Sequence, residues 1–264
     1  MTRQDKRTRP RNNPSIDGIH LAFSWLTILP FRGPRLVDRH AGAWAIAASP
    51  LIGLGFGVVA ALMLWGMLAA NLPWQLAGVL TVGALALFTR GMHIDGLADT
   101  ADGLGTFGSP ARAQEVMRAG GSGPFGVATL VVVLVGQALA LGALAEKQMF
   151  VGIVVAIAAA RVSVVLACRT GIRPARKDGF GALVVGTQSW ALIGTWIVAC
   201  LFIATMAVSN SPIHGPVVVV VAFAVAFVFT IHCARRFAGL NGDVLGAVLE
   251  ITVLLIAVGM LLGN

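Results

Sequence analysis

Apolar residues run along this chain in long, nearly unbroken blocks separated by short polar segments. Blocks near 41–70 (interrupted at Pro50), 73–92, 123–145, 148–171, 188–208, 213–231 and 243–262 match the length a helix needs to cross about 30 Å of hydrocarbon. An earlier run, 19–31, is too short for a crossing and is expected to lie re-entrant or at the interface. With no water in the bilayer to satisfy backbone groups, such blocks must be helical. The pattern therefore predicts an all-α, polytopic integral membrane bundle: about seven transmembrane helices plus a short re-entrant or interfacial N-terminal helix. Composition agrees, since 57% of residues are hydrophobic and 11% charged, against about 25% charged in soluble domains. The first residues are basic and Pro/Asn-containing, and 19–31 lacks a small-residue cleavage site, so no cleavable signal is expected. The expected organisation is a basic tail over 1–18 and one membrane-embedded domain over 19–264.

Charge then orients the blocks. Of the 19 Lys and Arg, Arg3, Lys6, Arg7, Arg9 and Arg11 lie in the tail, and Arg32, Arg35 and Arg39 follow the short run. Others sit at Arg90, Arg112 and Arg118, at Arg169, Arg173, Arg176 and Lys177, and at Arg235 and Arg236. If 19–31 does not cross, all of these segments share one side, and the opposite connections carry only Lys147. The positive-inside rule puts that basic side, with the N-terminus, in the cytoplasm. A net charge of +8 reads as a topology signal with some attraction to anionic lipid or phosphate. No basic pattern with interleaved aromatics appears, so nucleic acid is not an expected partner; membrane lipid is. Cys168, Cys200 and Cys233 lie far apart in apolar blocks and read as small packing residues. Gly53-Leu54-Gly55-Phe56-Gly57 reads as close helix packing rather than a nucleotide loop.

Chemistry concentrates in Arg90-Gly91-Met92-His93-Ile94-Asp95-Gly96-Leu97-Ala98-Asp99-Thr100-Ala101-Asp102-Gly103. Asp95, Asp99 and Asp102 stand at i, i+4 and i+7, within an arc of roughly 60° on a helix. Three acids on one face repel, and a divalent cation is the simplest remedy. Hard oxygen ligands point to magnesium or manganese. His93 falls roughly opposite the acids unless the helix bends at Gly91. Asn241-Gly242-Asp243 opens the last block, with Glu250 seven residues beyond Asp243 and inside apolar sequence. An intramembrane carboxylate is a functional candidate; pairing with Arg161, also within an apolar block, is the alternative. Gly120-Gly121-Ser122-Gly123-Pro124-Phe125-Gly126 opens a helix and reads either as a phosphate contact or as a hinge. Arg169 to Gly181, with Arg173, Arg176 and Lys177, reads either as a phosphate clamp or as topology-setting charge.

Taken in order, the Arg90–Gly103 segment, Met117-Arg118, Gly123-Pro124-Phe125-Gly126, Ala160-Arg161, Pro174-Ala175-Arg176-Lys177-Asp178-Gly179 and Gly242-Asp243-Val244-Leu245-Gly246-Ala247 with Glu250 resemble the cobalamin synthase family, the adenosylcobinamide-GDP ribazoletransferases. One departure is Ala119-Gly120-Gly121-Ser122, where the family often carries an acidic or Arg-containing segment. The resemblance implies a magnesium-dependent transferase that joins adenosylcobinamide-GDP to α-ribazole or α-ribazole 5′-phosphate. GMP leaves, and adenosylcobalamin or its 5′-phosphate forms, in the plasma membrane of a bacterium. Under that reading Asp95, Asp99 and Asp102 hold one or two metal ions and Asp243 completes the shell. Arg90, Ser122, Arg161, Arg173, Arg176, Lys177 and Glu250 contact substrate. The attacking hydroxyl's proton goes to metal-bound hydroxide, to an unliganded Asp or to His93. Two rivals stand beside it. Gly91-x3-Asp95-x3-Asp99 matches half of the CDP-alcohol phosphotransferase pattern, and Glu250 with Arg161 would suit an ion-coupled transporter.

Overall fold

The computed structural model describes residues 14–31, 33, 34, 37–209 and 211–263. The tail's basic residues through Arg11, with Arg32 and Arg35, lie outside them. Helices form as α1 (Pro14–Leu26), α2 (Arg39–Ala69), α3 (Trp74–Phe88), α4 (Met92–Gly105), α5 (Pro110–Val116), α6 (Pro124–Glu146), α7 (Phe150–Ala167), α8 (Phe180–Val184), α9 (Trp190–Ala204), α10 (His214–Arg236) and α11 (Gly242–Leu261). No strand forms among the described residues; isolated bridges join Arg169 to Gln188 and Pro174 to Leu240. The chain is an all-α, multi-pass membrane bundle.

Helices α2, α6, α7, α10 and α11 are each long and apolar enough to cross a bilayer. Blocks 73–92 and 188–208 give shorter helices than their apolar lengths suggest, with 15 residues each in α3 and α9. The reason is local for the first of them. Arg90 and Gly91 take left-handed backbone angles, φ 56° and 67°, which a right-handed helix cannot continue. The chain turns there by 94°, so α4 runs across the bundle end instead of prolonging α3. Helix α1 has 13 residues, too few to cross, and begins inside the segment expected to be tail. It packs on α2 through Leu21, Ala22 and Leu26 against Ala41, Ala45 and Ile52.

Most of α7 and α11 is buried, whereas α2, α6 and α10 keep their larger share of side chains outward. The two central helices are therefore the ones able to hold polar groups away from lipid. Glycines set how closely neighbours approach them. A Cβ on Gly53 would lie 2.6 Å from Cγ of Arg161, and one on Gly57 2.9 Å from the Val154 carbonyl oxygen. The glycine run of α2 is thus a packing face against α7, as small residues are in lipid. Cys168, Cys200 and Cys233 are buried free thiols.

Candidate active site

Close helix contact assembles the site. A Cβ on Gly96 would sit 2.7 Å from the Asp243 carbonyl oxygen, and one on Gly246 3.0 Å from Cα of His93. Backbone cannot yield as a side chain can, so α4 and α11 meet this closely only because both positions lack a side chain. The crossing brings Asp95 and Asp243 to one cavity of about 170 Å³, whose wall also includes Leu26, His93, Arg161 and Phe180. Asn241 aims Asp243: its Nδ2 donates to Oδ2 of Asp243 at 2.7 Å, while its Oδ1 accepts from the Val244 N–H at 3.2 Å and caps α11. Asp99 is half-buried one turn beyond Asp95. Its carboxyl is pushed up to about 6, first by burial and then by the charges of Asp95, Asp243 and Asp102. Among the described residues no Lys or Arg forms an ion pair with Asp95, Asp99 or Asp243. The repulsion inferred from spacing is real, and Asp243 adds to it from another helix.

Asp102 departs from the expected ligand set. Its Oδ2 accepts the Gly123 N–H at 2.6 Å and its Oδ1 accepts the Gly126 N–H at 2.9 Å. A carboxylate on exposed amides at a helix start satisfies orphan donors and complements the dipole, so Asp102 anchors α6. The same contacts take the Gly123 and Gly126 amides of the segment expected to be a phosphate contact or a hinge. Ser122 is exposed beside this cap.

The donor chemistry still suits magnesium. No three His, Cys, Asp or Glu side chains among the described residues are gathered as a ready-made cage. Magnesium does not require one, since it keeps several waters and binds through one or two carboxylates plus substrate phosphates. Asp95 and Asp243, lining one cavity without a cationic partner among the described residues, meet that smaller demand, with Asp99 beside them.

At the inner end of the cavity, where His93 and Arg161 separate it from a smaller cavity lined by Gln137 and Glu250, the polar groups are paired differently. Arg161 of α7 is 4% exposed, and its Nη1 lies 3.3 Å from Nε2 of His93. Arginine can only donate, so Nε2 accepts and the imidazole proton sits on Nδ1. That nitrogen faces Oε1 of Glu250 at 3.9 Å. Glu250 is held in turn by Gln137 of α6, whose Nε2 donates to Oε2 at 2.8 Å and to the Glu250 carbonyl oxygen at 2.9 Å. Neither sequence reading of Glu250 described this arrangement: Glu250 faces Arg161 across His93 and makes no direct ion pair with it. His93 itself reaches the cavity despite lying opposite the acids, because the bend before Met92 turns the first turn of α4 inward.

The remaining cations proposed for substrate scatter. The Arg90 guanidinium donates to the Ser24 and Trp25 carbonyls at 2.9 and 3.0 Å and ties down the end of α1. Arg176 forms a two-pronged pair with Asp178 at 3.0 Å. Arg173 and Lys177 are exposed in the α7–α8 connection, and Arg173 borders a separate cavity with Arg235. Of the proposed cations, only Arg161 lines the cavity of the acids. Gln137 and Asn241 were missed in the sequence. Gln137 was visible as a lone amide inside the apolar block 127–145, and Asn241 as a helix cap two residues before an Asp.

Fold and site together define a multi-pass membrane protein with an acidic, cation-seeking cavity backed by a buried guanidinium. The sequence pattern of the family described as cobalamin-5-phosphate synthase matches residues 18–261. Adenosylcobinamide-GDP ribazoletransferase of Corynebacterium efficiens is 34% identical over 92% of this chain and 90% of its own length. Proteins of that name from Frankia casuarinae and a Nocardioides species are 35% and 36% identical, over 88% and 89% of this chain and 89% and 94% of theirs. The chain belongs to the cobalamin-5-phosphate synthase family. No solved structure matches it.

Proposed function

We propose that the Asp95–Asp243 cavity is where this chain carries out metal-dependent phosphoryl transfer. As a family member the chain is the transferase that joins adenosylcobinamide-GDP to ribazole at the last step of cobalamin synthesis, which sets aside both rivals. The observation that supports the chemistry is the pair of carboxylates from two helices, paired with no Lys or Arg among the described residues, lining a cavity that Arg161 also lines. A pyrophosphate fits such a place, since carboxylates bind it only through a cation and a guanidinium binds it directly. Asp95 and Asp243 would hold magnesium, with Asp99 beside them, and the ion supplies charge neutralisation at the phosphate oxygens.

The chain's own residues do the rest. Arg161 takes a phosphate oxygen that the carboxylates would repel. The ribazole hydroxyl forms a bond to the cobinamide-bearing phosphorus as the bond to the GMP oxygen breaks. Nδ1 of His93 already carries the imidazole proton and Nε2 accepts from Arg161, so the hydroxyl proton leaves to a carboxylate at the mouth. Basic residues from Arg39 through Arg236 gather at the Asp95 end of the bundle, and Lys147 lies at the other. By the positive-inside rule the site faces the cytoplasm, and the large polar substrates arrive from that side.

The test is to incubate purified, detergent-solubilised protein with adenosylcobinamide-GDP and α-ribazole 5′-phosphate, with and without magnesium. GMP and corrinoid products are followed by mass spectrometry. Stoichiometric GMP and adenosylcobalamin 5′-phosphate that appear only with the metal are expected. Equal turnover in a chelator would remove the metal from the mechanism.

A further inference from the structure

A buried cation normally recruits the nearest carboxylate, and here that has not happened. Arg161 and Glu250 border the same small cavity of about 40 Å³, yet among the described residues they make no direct ion pair. His93 Nε2 is the one protein acceptor on the Arg161 guanidinium, which has five N–H donors. Fully enclosed donors without an acceptor are costly, and the only enclosed unpaired side-chain atom among the described residues is Oγ1 of Thr100. The other Arg161 donors are therefore not fully enclosed: Arg161 borders both cavities, with the Phe56 ring centroid 6.0 Å from its guanidinium carbon. Glu250 meanwhile is fastened from the far side. Gln137, itself 3% exposed, grips both its carboxylate and its main-chain carbonyl.

We propose that Gln137 is a positioning residue that holds Glu250 back from Arg161, so that the guanidinium keeps free donors for the phosphate of an incoming substrate. This rests on the reading of the cavity as the phosphoryl-transfer site. Glu250 is close enough to balance the Arg161 charge in a medium of low dielectric, which a lone buried cation would require. Being clamped, it does so without filling the donors. The Nδ1–H tautomer of His93 fits between them, donating toward Glu250 and accepting from Arg161. The site is thereby neutral enough to persist in the bundle and still incomplete enough to bind an anion.

Gln137→Met keeps length and volume and removes both donors. Glu250 is then free to close on Arg161, and the arrangement expects KM for adenosylcobinamide-GDP to rise about tenfold or more, the worth of one charge-assisted hydrogen bond. The inhibition constant of inorganic pyrophosphate should rise in parallel, with kcat and the magnesium requirement little changed. Adding Glu250→Gln to Gln137→Met removes the competing charge; it should lower the melting temperature, because Arg161 loses its balancing carboxylate, and still bring KM back to within about threefold of wild type. A merely structural Gln137 would not be rescued by deleting its partner's charge. Melting temperature and magnesium binding report folding; if Gln137→Met does not fold, Gln137→Asn, with its shorter reach, should shift KM and pyrophosphate inhibition in the same direction. Unchanged KM in folded Gln137→Met or Gln137→Asn, or failure of the double variant to recover, overturns the role of Gln137. Absence of magnesium-dependent turnover in wild type would instead overturn the underlying reading of the cavity.

Discussion

Two adjoining cavities that share His93 and Arg161 treat charge in opposite ways. At the mouth, Asp95, Asp99 and Asp243 crowd together with no ion-paired Lys or Arg among the described residues. At the inner end, Arg161 and Glu250 balance each other across a neutral His93, and Gln137 satisfies the carboxylate. Solvent access explains the contrast. Repulsion among carboxylates near water costs little and is relieved by a dissolved cation, whereas an unbalanced charge among apolar helices costs several kcal/mol. The uncompensated charge sits where a dissolved cation can correct it, and the balanced pair sits where burial would make an unbalanced charge costly before substrate arrives. Substitutions at the mouth should therefore remove function and spare the fold, and loss of the Arg161 charge at the inner end should damage both.

The sharpest break in that comparison is at the mouth. Asp95→Asn or Asp243→Asn should lower kcat/KM by at least about 100-fold, the upper range for groups that merely support a metal ligand. The melting temperature without metal should hold or rise, because a repulsive charge is gone. A fall in melting temperature as large as the fall in activity would mean that these acids are structural. Next comes Arg161→Met, which leaves Glu250 buried and uncompensated and should cost about 3–5 kcal/mol of stability. Arg161→Met with Glu250→Gln should regain most of that stability in thermal denaturation and none of the activity, which separates balance from binding.

A pH series sharpens the comparison further. Asp99 titrates near 6 in the metal-free protein, above its ordinary value of 3.8. Its protonated form is thus favoured by the fold: this contribution to stability is fully present below about pH 4 and is lost as pH rises through 6. A bound cation cancels the repulsion and competes with the proton. Magnesium should accordingly raise the melting temperature more at pH 7.5 than at pH 5, and an equal rise at both would detach Asp99 from the metal. The smallest effect is expected at Asp102. Asp102→Asn keeps one acceptor for the α6 amides and should cost about 1 kcal/mol, as weakened helix caps do, with magnesium affinity nearly unchanged. Loss of metal binding would return Asp102 to the ligand set.

What could be read in the sequence follows the range of the interactions. The bundle was legible because a bilayer imposes helix length on any apolar block. Asp95 and Asp99 were legible because they share one helical turn, and Asp243 because it opens a helix after a cap. Asp102 has the same spacing signature as its neighbours, and its partners lie 21 and 24 residues further on. Periodicity cannot tell a ligand from an anchor at that distance. The His93–Arg161 contact joins positions 68 apart and the Gln137–Glu250 contact positions 113 apart, so only tertiary packing assembles them. The length of α3 was misread for a local reason. Arg90 adopts a left-handed conformation that its identity does not announce, and Gly91 alone signals a bend weakly. Apolar length by itself therefore overstated where the crossing ends.

The most direct measurement is divalent-cation binding to the metal-free protein, read by manganese electron paramagnetic resonance with magnesium competition. Wild type should be compared with Asp95→Asn/Asp243→Asn and with Asp102→Asn. If the mouth carboxylates hold the ion, wild type and Asp102→Asn bind with similar affinity and the double variant, still folded, does not bind. Undiminished binding in the double variant would contradict the site.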